Sequence, residues 1–222
     1  MKFNIITLFP QMFNGPLTES IIGRAKDEGL LEINTVQVRD FASDKHQTVD
    51  DTPYGGGKGM VLKVDILDQA IESVKSSNPN TAVIIMSPRG RTFNQDVAKE
   101  LSNLENVTLV CGHYEGFDER IYDLADDVIS IGDFVLTGGE IPAMAIIDAT
   151  ARLLPGVIVE ESAEKESFME KNNQGDYLLE YPQYTRPLEY KGKKVPDILL
   201  SGNHAEIEKW RELNLKAQKY VK

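Results

Sequence analysis

The sequence predicts an α/β fold: a mostly parallel sheet with helices on both faces, followed by a small helical C-terminal domain. Three observations carry this. Short apolar runs alternate with amphipathic stretches over roughly the first 150 residues, the pattern of successive strand–helix units. Three consecutive strand candidates end in glycine-bearing loops, at Ser87–Gly90, at Cys111-Gly112 and at Gly132-Asp133. After Pro155-Gly156 the apolar pattern stops, and an acidic stretch leads into a basic one. The expected division is 1–159 for the sheet domain, 160–180 for a flexible linker and 181–222 for the C-terminal domain.

Phe3–Leu8 and Glu32–Val38 read as strands, with a helix-like stretch at Leu17–Glu28 between them. From Asp40 to Met60 turn residues replace the apolar period, ending in Pro53-Tyr54-Gly55-Gly56-Gly57-Lys58-Gly59-Met60. A loop of that length in a compact domain is more often functional than accidental. A helix follows at Val64–Val74, then the buried-strand run Thr81–Met86. Asn94 is placed to cap a helix through Ser102, and Val107–Val110 is the next strand. A short helix at Glu119–Leu124 precedes the strand Val128–Ile131. Pro142, in a first turn, opens an apolar helix to about Leu154. Ligands of such sheets sit beyond the carboxyl ends of the strands, so the three glycine loops predict a pocket on that edge.

Glu160–Glu180 holds seven acids against Lys165 and Lys171 with little apolar content, and reads as a flexible linker. A helix is expected at Ala205–Tyr220, with Ile207, Trp210, Leu213 and Ala217 at helical spacing. The 222 residues carry 24 Lys and Arg against 35 Asp and Glu, a net charge of −11. That average argues against a polyanionic partner, but its distribution does not. Residues 186–222 hold nine Lys/Arg and five acids, a net of +4, leaving −15 on residues 1–185. Hydrophobic residues at 41% and charged residues at 27% are ordinary globular values. The single cysteine, Cys111, excludes an intramolecular disulfide and fits a reducing compartment. The first residues read as too short and too interrupted an apolar stretch for a signal peptide, so none is expected. The longest apolar stretch, Ile141–Val159, is interrupted by Asp148, Arg152 and Pro155-Gly156, so no membrane partner and a cytoplasmic location are expected.

Taken singly, the candidate site residues keep bland readings beside sharp ones. Asp50-Asp51-Thr52-Pro53-Tyr54-Gly55-Gly56-Gly57 is either a cradle for an anion or flat ring beside Tyr54, or a tight connection needing glycine for its geometry. Neither a phosphate-binding loop nor a dinucleotide fingerprint is present. Cys111, His113 and Glu115 fall within five residues, but His46 and His204 are remote in sequence and no metal is implied. Cys111 reads as a small buried hydrophobe rather than a nucleophile, and Glu115 as a hydrogen-bond acceptor. Asp133 is either a ligand contact or a helix cap. Glu166, alone, is a solvated linker charge. Arg152, on an apolar helix beside Leu153 and Leu154, needs a partner, and a buried ion pair is the plain reading.

Together the motifs become specific. Val49-Asp50-Asp51-x-Pro53-Tyr54-Gly55-Gly56-Gly57-x-Gly59-Met60, Ser87-Pro88-x-Gly90 and Cys111-Gly112-x-Tyr114-Glu115-Gly116-x-Asp118-Glu119-Arg120 resemble the bacterial tRNA (guanine-N1)-methyltransferase family, TrmD. So do Ser130-Ile131-Gly132-Asp133-Phe134-Val135-Leu136-x-Gly138-Gly139-Glu140, Tyr184-Thr185-Arg186-Pro187 and Leu199-Leu200-Ser201-Gly202-Asn203-His204-Ala205 with Trp210-Arg211. The resemblance implies a SPOUT-class homodimer with its active site at the subunit interface, and a trefoil knot that binds S-adenosylmethionine. The product it implies is 1-methylguanosine immediately 3′ of the tRNA anticodon.

By position, the implied cofactor contacts are Ser87, Pro88, Gly90, Gly112, Tyr114, Glu115, Gly116, Ile131, Gly132, Asp133, Phe134, Val135, Leu136, Gly138 and Gly139. Asp50, Tyr54, Gly55, Gly56, Gly57, Gly59, Arg186 and His204 are the implied tRNA contacts. Arg152 matches the family's functional arginine. The family's base is an Asp directly before Ser-Phe, and this sequence has Glu166 there. It also lacks the family's Arg-rich end after Trp210-Arg211, which leaves fewer phosphate contacts and predicts weak, salt-sensitive tRNA binding.

Overall fold

A computed structural model describes residues 1–159 and 166–217, and divides the chain into two compact units, Met1–Ile158 and Val159–Lys222. The first unit runs β1 (Lys2–Thr7), α1 (Ser20–Asp27), β2 (Glu32–Gln37), β3 (Asp50–Asp51), β4 (Val61–Leu62), α2 (Val64–Ser77), β5 (Ala82–Thr92), α3 (Gln95–Ser102), β6 (Asn106–Cys111), β7 (Asp127–Ser130) and α4 (Glu140–Ala151). Five of these strands form a parallel sheet in the order β2-β1-β6-β5-β7.

The period of two in the strands builds two apolar layers. Phe3, Ile5, Ile84, Met86, Val107 and Leu109 face one side and pack with α1, α3 and α4. Ile6, Val83, Ile85 and Val110 face the other, where α2 buries Ile66, Leu67, Ala70, Ile71 and Val74. Each such buried Val, Leu or Ile side chain contributes about 1.5–3 kcal/mol. Helices therefore cover both faces, as runs fully apolar rather than alternating with polar residues require. Asn94 caps α3 by accepting from the Val97 amide at 3.0 Å.

Two boundaries differ from the sequence reading, both at the carboxyl edge of the sheet. β5 does not end at Met86: Ile129 pairs with Met86 and again with Arg91, and Ser87–Gly90 bulges out between the two pairings. Gly90 is where the returning strand passes against β7, since a Cβ there would collide with the Val128 carbonyl. α4 begins at Glu140 with Gly139 as its N-cap, ahead of Pro142, and ends at the C-cap Arg152. Asp133 therefore caps nothing here.

In the second unit β8 (Leu178–Leu179) pairs antiparallel with β11 (Lys216–Ala217). β9 (Glu189–Tyr190) pairs with β10 (Lys193–Lys194), and α5 spans His204–Leu213. Lys191 and Gly192, both at positive φ, turn the β9–β10 hairpin. Its Leu188 and Tyr190 are 60% and 63% exposed. The terminal helix stops at Leu213 rather than Tyr220, because Ala217 is drawn into a strand against Leu178, and Leu213 is exposed. Residues 160–165 and 218–222 lie outside the described residues. Within the segment read as linker, residues 166–180 are held by local pairing. The Phe168 amide donates to the Leu178 carbonyl at 2.9 Å, and the Leu178 amide to that of Glu170 at 2.8 Å. Tyr177 is buried against Phe168 with the Lys171 ammonium 4.4 Å above its ring. Two aromatics thus supply an apolar contact that the count of acids concealed.

Candidate active site

The Ser87–Gly90 bulge of β5 and the loops that follow β6 and β7 line one cleft of about 420 Å³ at the carboxyl edge of the sheet. Glycine is what lets them approach. The Gly139 amide donates to the Gly112 carbonyl at 2.8 Å, and a Cβ on Gly139 would lie 2.7 Å from the Cys111 Cα. A Cβ on Gly112 would lie 2.7 Å from the Phe117 ring. The walls mix Pro88, Ile129, Ile131, Leu136 and Pro142 with backbone and hydroxyl groups. Among the latter, Ser87 Oγ and the Tyr122 hydroxyl share a hydrogen bond of 3.1 Å.

The β3–β4 hairpin is stitched to the second of these loops. Glu115 N donates to Met60 O, Leu62 N to Gly116 O and Asp118 N to Leu62 O, each at 3.0 Å. Gly59, at φ +85°, passes so close to Glu115 that a Cβ would strike its side chain. Gly59 and β4 are thereby tied to the loop that carries Glu115 and Gly116, while Asp50, Tyr54 and Gly55–Gly59 are not among the lining residues and Tyr54 is fully exposed.

The charges at this edge are paired. Arg89 lies 4.9 Å over the Tyr122 ring and grips Glu119 with both guanidinium arms, one at 2.9 Å. Hydrogen bonding to Arg89 lowers the Glu119 carboxyl, and the same bond raises Arg89. Hydrogen bonds from Arg120 bring Asp118 down to about 2. Cys111 goes the other way: burial, and then the charge of Glu140, push its thiol well up. A thiol held neutral is no nucleophile, which removes a Cys–His reading of Cys111 and His113. The His113 ring instead sits edge-on between Phe9 and Tyr114, each at 4.9 Å. Among the described residues no group of three His, Cys, Asp or Glu is placed to hold a metal ion.

Of the residues singled out from the sequence, Ser87, Pro88, Gly112, Tyr114, Glu115, Gly116, Ile131, Gly132, Phe134, Val135, Leu136, Gly138 and Gly139 line the cleft. Gly90 and Asp133 do not: Gly90 packs on β7, and Asp133 is exposed. Arg152 is half-buried and belongs to the first unit. Glu166 belongs to the second and lines a smaller cavity of about 170 Å³ with Glu170, Glu180 and Arg211. Arg186 is exposed ahead of β9, and His204 is the exposed first residue of α5. The sequence reading missed Arg89, Tyr122 and Thr137 as lining residues. Arg89 lies inside the Ser-Pro-x-Gly motif and was findable. Tyr122 gave no signal, because only the fold of the Glu119–Leu124 turn brings it to the cleft.

Comparison with known proteins bears on the whole chain. Residues 1–222 match the family model described as tRNA (Guanine-1)-methyltransferase TrmD. A tRNA (guanine-N(1)-)-methyltransferase of Citrifermentans bemidjiense is 62% identical over 213 residues, 95% of this chain and 83% of that protein. The protein of the same name from Metamycoplasma arthritidis is 55% identical over 212 residues, 96% of this chain and 89% of the relative. That of Lactobacillus delbrueckii subsp. bulgaricus is 52% identical over 221 residues, 99% and 86% of the two chains. With a match from the first residue to the last and identities of this order over nearly all of its length, the chain belongs to the tRNA (guanine-1)-methyltransferase TrmD family.

Proposed function

We propose that this protein methylates N1 of the guanosine immediately 3′ of the tRNA anticodon, with S-adenosylmethionine as donor, working as a homodimer whose active site lies at the subunit interface. The observation that carries the reading is the cleft itself. Three glycine loops form it, and its size lies in the range of roughly 300–1,000 Å³ that suits a nucleoside-sized ligand. Apolar walls fit the adenine and ribose, and Gly112, Gly116, Gly132, Gly138 and Gly139 leave backbone rather than side chains along much of the lining. When bound, the cofactor supplies an electrophilic methyl group on a sulfonium sulfur.

The protein's share is placement, proton removal and charge. Ser87, Gly112 and the Ile131–Gly139 loop hold the donor, while Asp50 and the Gly55–Gly59 loop face the target base. Glu166 takes the N1 proton, and Arg152 steadies the negative charge that develops on the guanine oxygen. By holding the target base beside the bound donor, these residues would turn a bimolecular collision into an almost unimolecular step. Glutamate is one methylene longer than the family's aspartate but of the same acid–base type.

Three finer points belong to the same reading. The return of β5 past β7, with Ser87–Gly90 bulged out between, supports a trefoil knot at this edge. Exposed Tyr114, Phe134, Val135, Leu136 and Ile141 support a partner subunit over the cleft, since single domains rarely leave such a cluster to water. The buried free thiol of Cys111 supports a reducing, cytoplasmic setting, and no helix among the described residues is long and apolar enough to cross a membrane. The test is a pair of tRNA transcripts with guanosine or adenosine at the position after the anticodon. Methyl transfer to the first alone is expected. Equal transfer to both, or to neither, contradicts the reading.

A further inference from the structure

Glu140 has no part in the chemistry above, yet it is 2% exposed. A carboxylate taken out of water persists only where its partners offset the lost hydration. Here the Thr7 hydroxyl donates to Oε1 at 2.7 Å, joining β1 to α4 across 133 residues of sequence. Thr7 is itself fully buried, and its Oγ1 accepts from the Phe9 amide at 2.9 Å. Glu140 is also the first residue of α4, where unpaired amide groups favour a negative charge.

The other oxygen of the same carboxylate lies against the cleft wall. A Cβ on Gly138 would collide with Glu140 Oε2, and would lie 3.0 Å from His113 Nδ1 and 3.3 Å from the Gly112 carbonyl. Only a glycine at 138 lets the carboxylate and the imidazole close on the turn from behind. His113 Nδ1 is buried there without a hydrogen-bond partner, while the ring lines the cleft. Thr137, Gly138 and Gly139 line the cleft.

We propose that Glu140 is a positioning residue: tied to Thr7, its carboxylate holds the Thr137–Gly139 turn, and His113 beside it, in the shape that receives the cofactor. The inference rests on the cofactor reading of the cleft. It separates Glu140 from a residue that only stabilises the fold, because its effect falls on one ligand and one kinetic constant.

The experiment uses the full chain with Glu140→Gln, which keeps an oxygen for Thr7 and removes the charge, and Thr7→Val, which keeps the shape and removes the hydroxyl. Calorimetry gives the Kd for S-adenosylhomocysteine, and steady-state assays give kcat and both KM values. Each variant is expected to raise that Kd and the cofactor KM about ten-fold, with kcat at saturating cofactor and the tRNA KM within two-fold. The double variant is expected to be no worse than the poorer single one, as for two members of one interaction. A folded variant that binds S-adenosylhomocysteine within two-fold of wild type, or that loses kcat with cofactor KM unchanged, overturns the proposal. If Glu140→Gln does not fold, Thr7→Val decides by the same criteria. Wild-type protein that binds S-adenosylhomocysteine but methylates no tRNA contradicts the proposed function alone. Wild-type methylation with unaffected variants contradicts this inference alone.

Discussion

Replacing Gly139 by alanine is expected to lift the turn that walls the cleft away from β6. The added Cβ would lie 2.7 Å from the Cys111 Cα and 2.8 Å from the Gly112 nitrogen, both backbone atoms that no rotamer can move. Ordinary contact begins at 3.4 Å, so the turn must withdraw by about 0.7 Å. Gly139 has φ −83°, which any residue adopts, so the cost is steric and not torsional. Overpacking of this kind costs about 1–3 kcal/mol. The 2.8 Å hydrogen bond from Gly139 to Gly112 is stretched out of range by the same movement. Its loss adds about 0.5–1.5 kcal/mol, for a total of roughly 1.5–4.5 kcal/mol. For a chain of this size that lowers Tm by roughly 3–18 °C. Thermal unfolding followed by circular dichroism measures the first effect, and calorimetry with S-adenosylhomocysteine measures the accompanying loss of affinity. An alanine variant with wild-type Tm and wild-type affinity would refute the claim that this close approach builds the cleft.

The remaining predictions address the chemistry, the second unit and the buried thiol. Glu166→Gln is expected to lower kcat by about 10²–10⁴ in single-turnover methyl transfer, with S-adenosylhomocysteine affinity unchanged; full activity in that variant removes Glu166 as the base. Substituting Lys191, Lys193 and Lys194 together by alanine is expected to weaken tRNA binding alike for all sequences and to flatten the plot of log affinity against log salt by about two units, read by fluorescence anisotropy. Cys111 is expected to resist thiol reagents at pH 8 until the protein unfolds, as its burial and raised thiol demand. Its folded pKa lies above the unfolded one, so its contribution to stability is complete below about pH 8.5 and is lost as pH rises further, which urea titrations at pH 7 and pH 10 measure.

What the sequence made legible is what local chemistry decides. Four of the five sheet strands announce themselves by their short apolar runs and β2 by apolar residues interleaved with polar ones, and the helix after Asn94 by its capping residue. The three glycine loops could be placed on one edge because parallel strands put their carboxyl ends together. What the sequence hid depends on pairing at a distance. Nothing local says that β5 resumes at Arg91 after leaving the sheet at Met86, since the second pairing depends on Ile129. Ala217 fits a helical stripe with Trp210 and Leu213, yet pairing with Leu178 makes it a strand. Glu140 closes the Gly138-Gly139-Glu140 motif, but nothing local says that the contact of β1 with α4 buries it on Thr7. The acid-rich stretch through Glu180 was read by its average, which hid the pairing of Phe168 with Tyr177. Averages over charge misled in the same way for the basic C-terminal region, where the β9–β10 hairpin presents Lys191, Lys193, Lys194 and Tyr190 to solvent.

The most direct measurement of the central claim is methyl transfer by the pure protein from labelled S-adenosylmethionine to unmodified tRNA, followed by digestion and mass spectrometry of the nucleosides. The account predicts 1-methylguanosine as the sole new product, located immediately 3′ of the anticodon. A different methylated nucleoside, or no incorporation at saturating cofactor and tRNA, would contradict it.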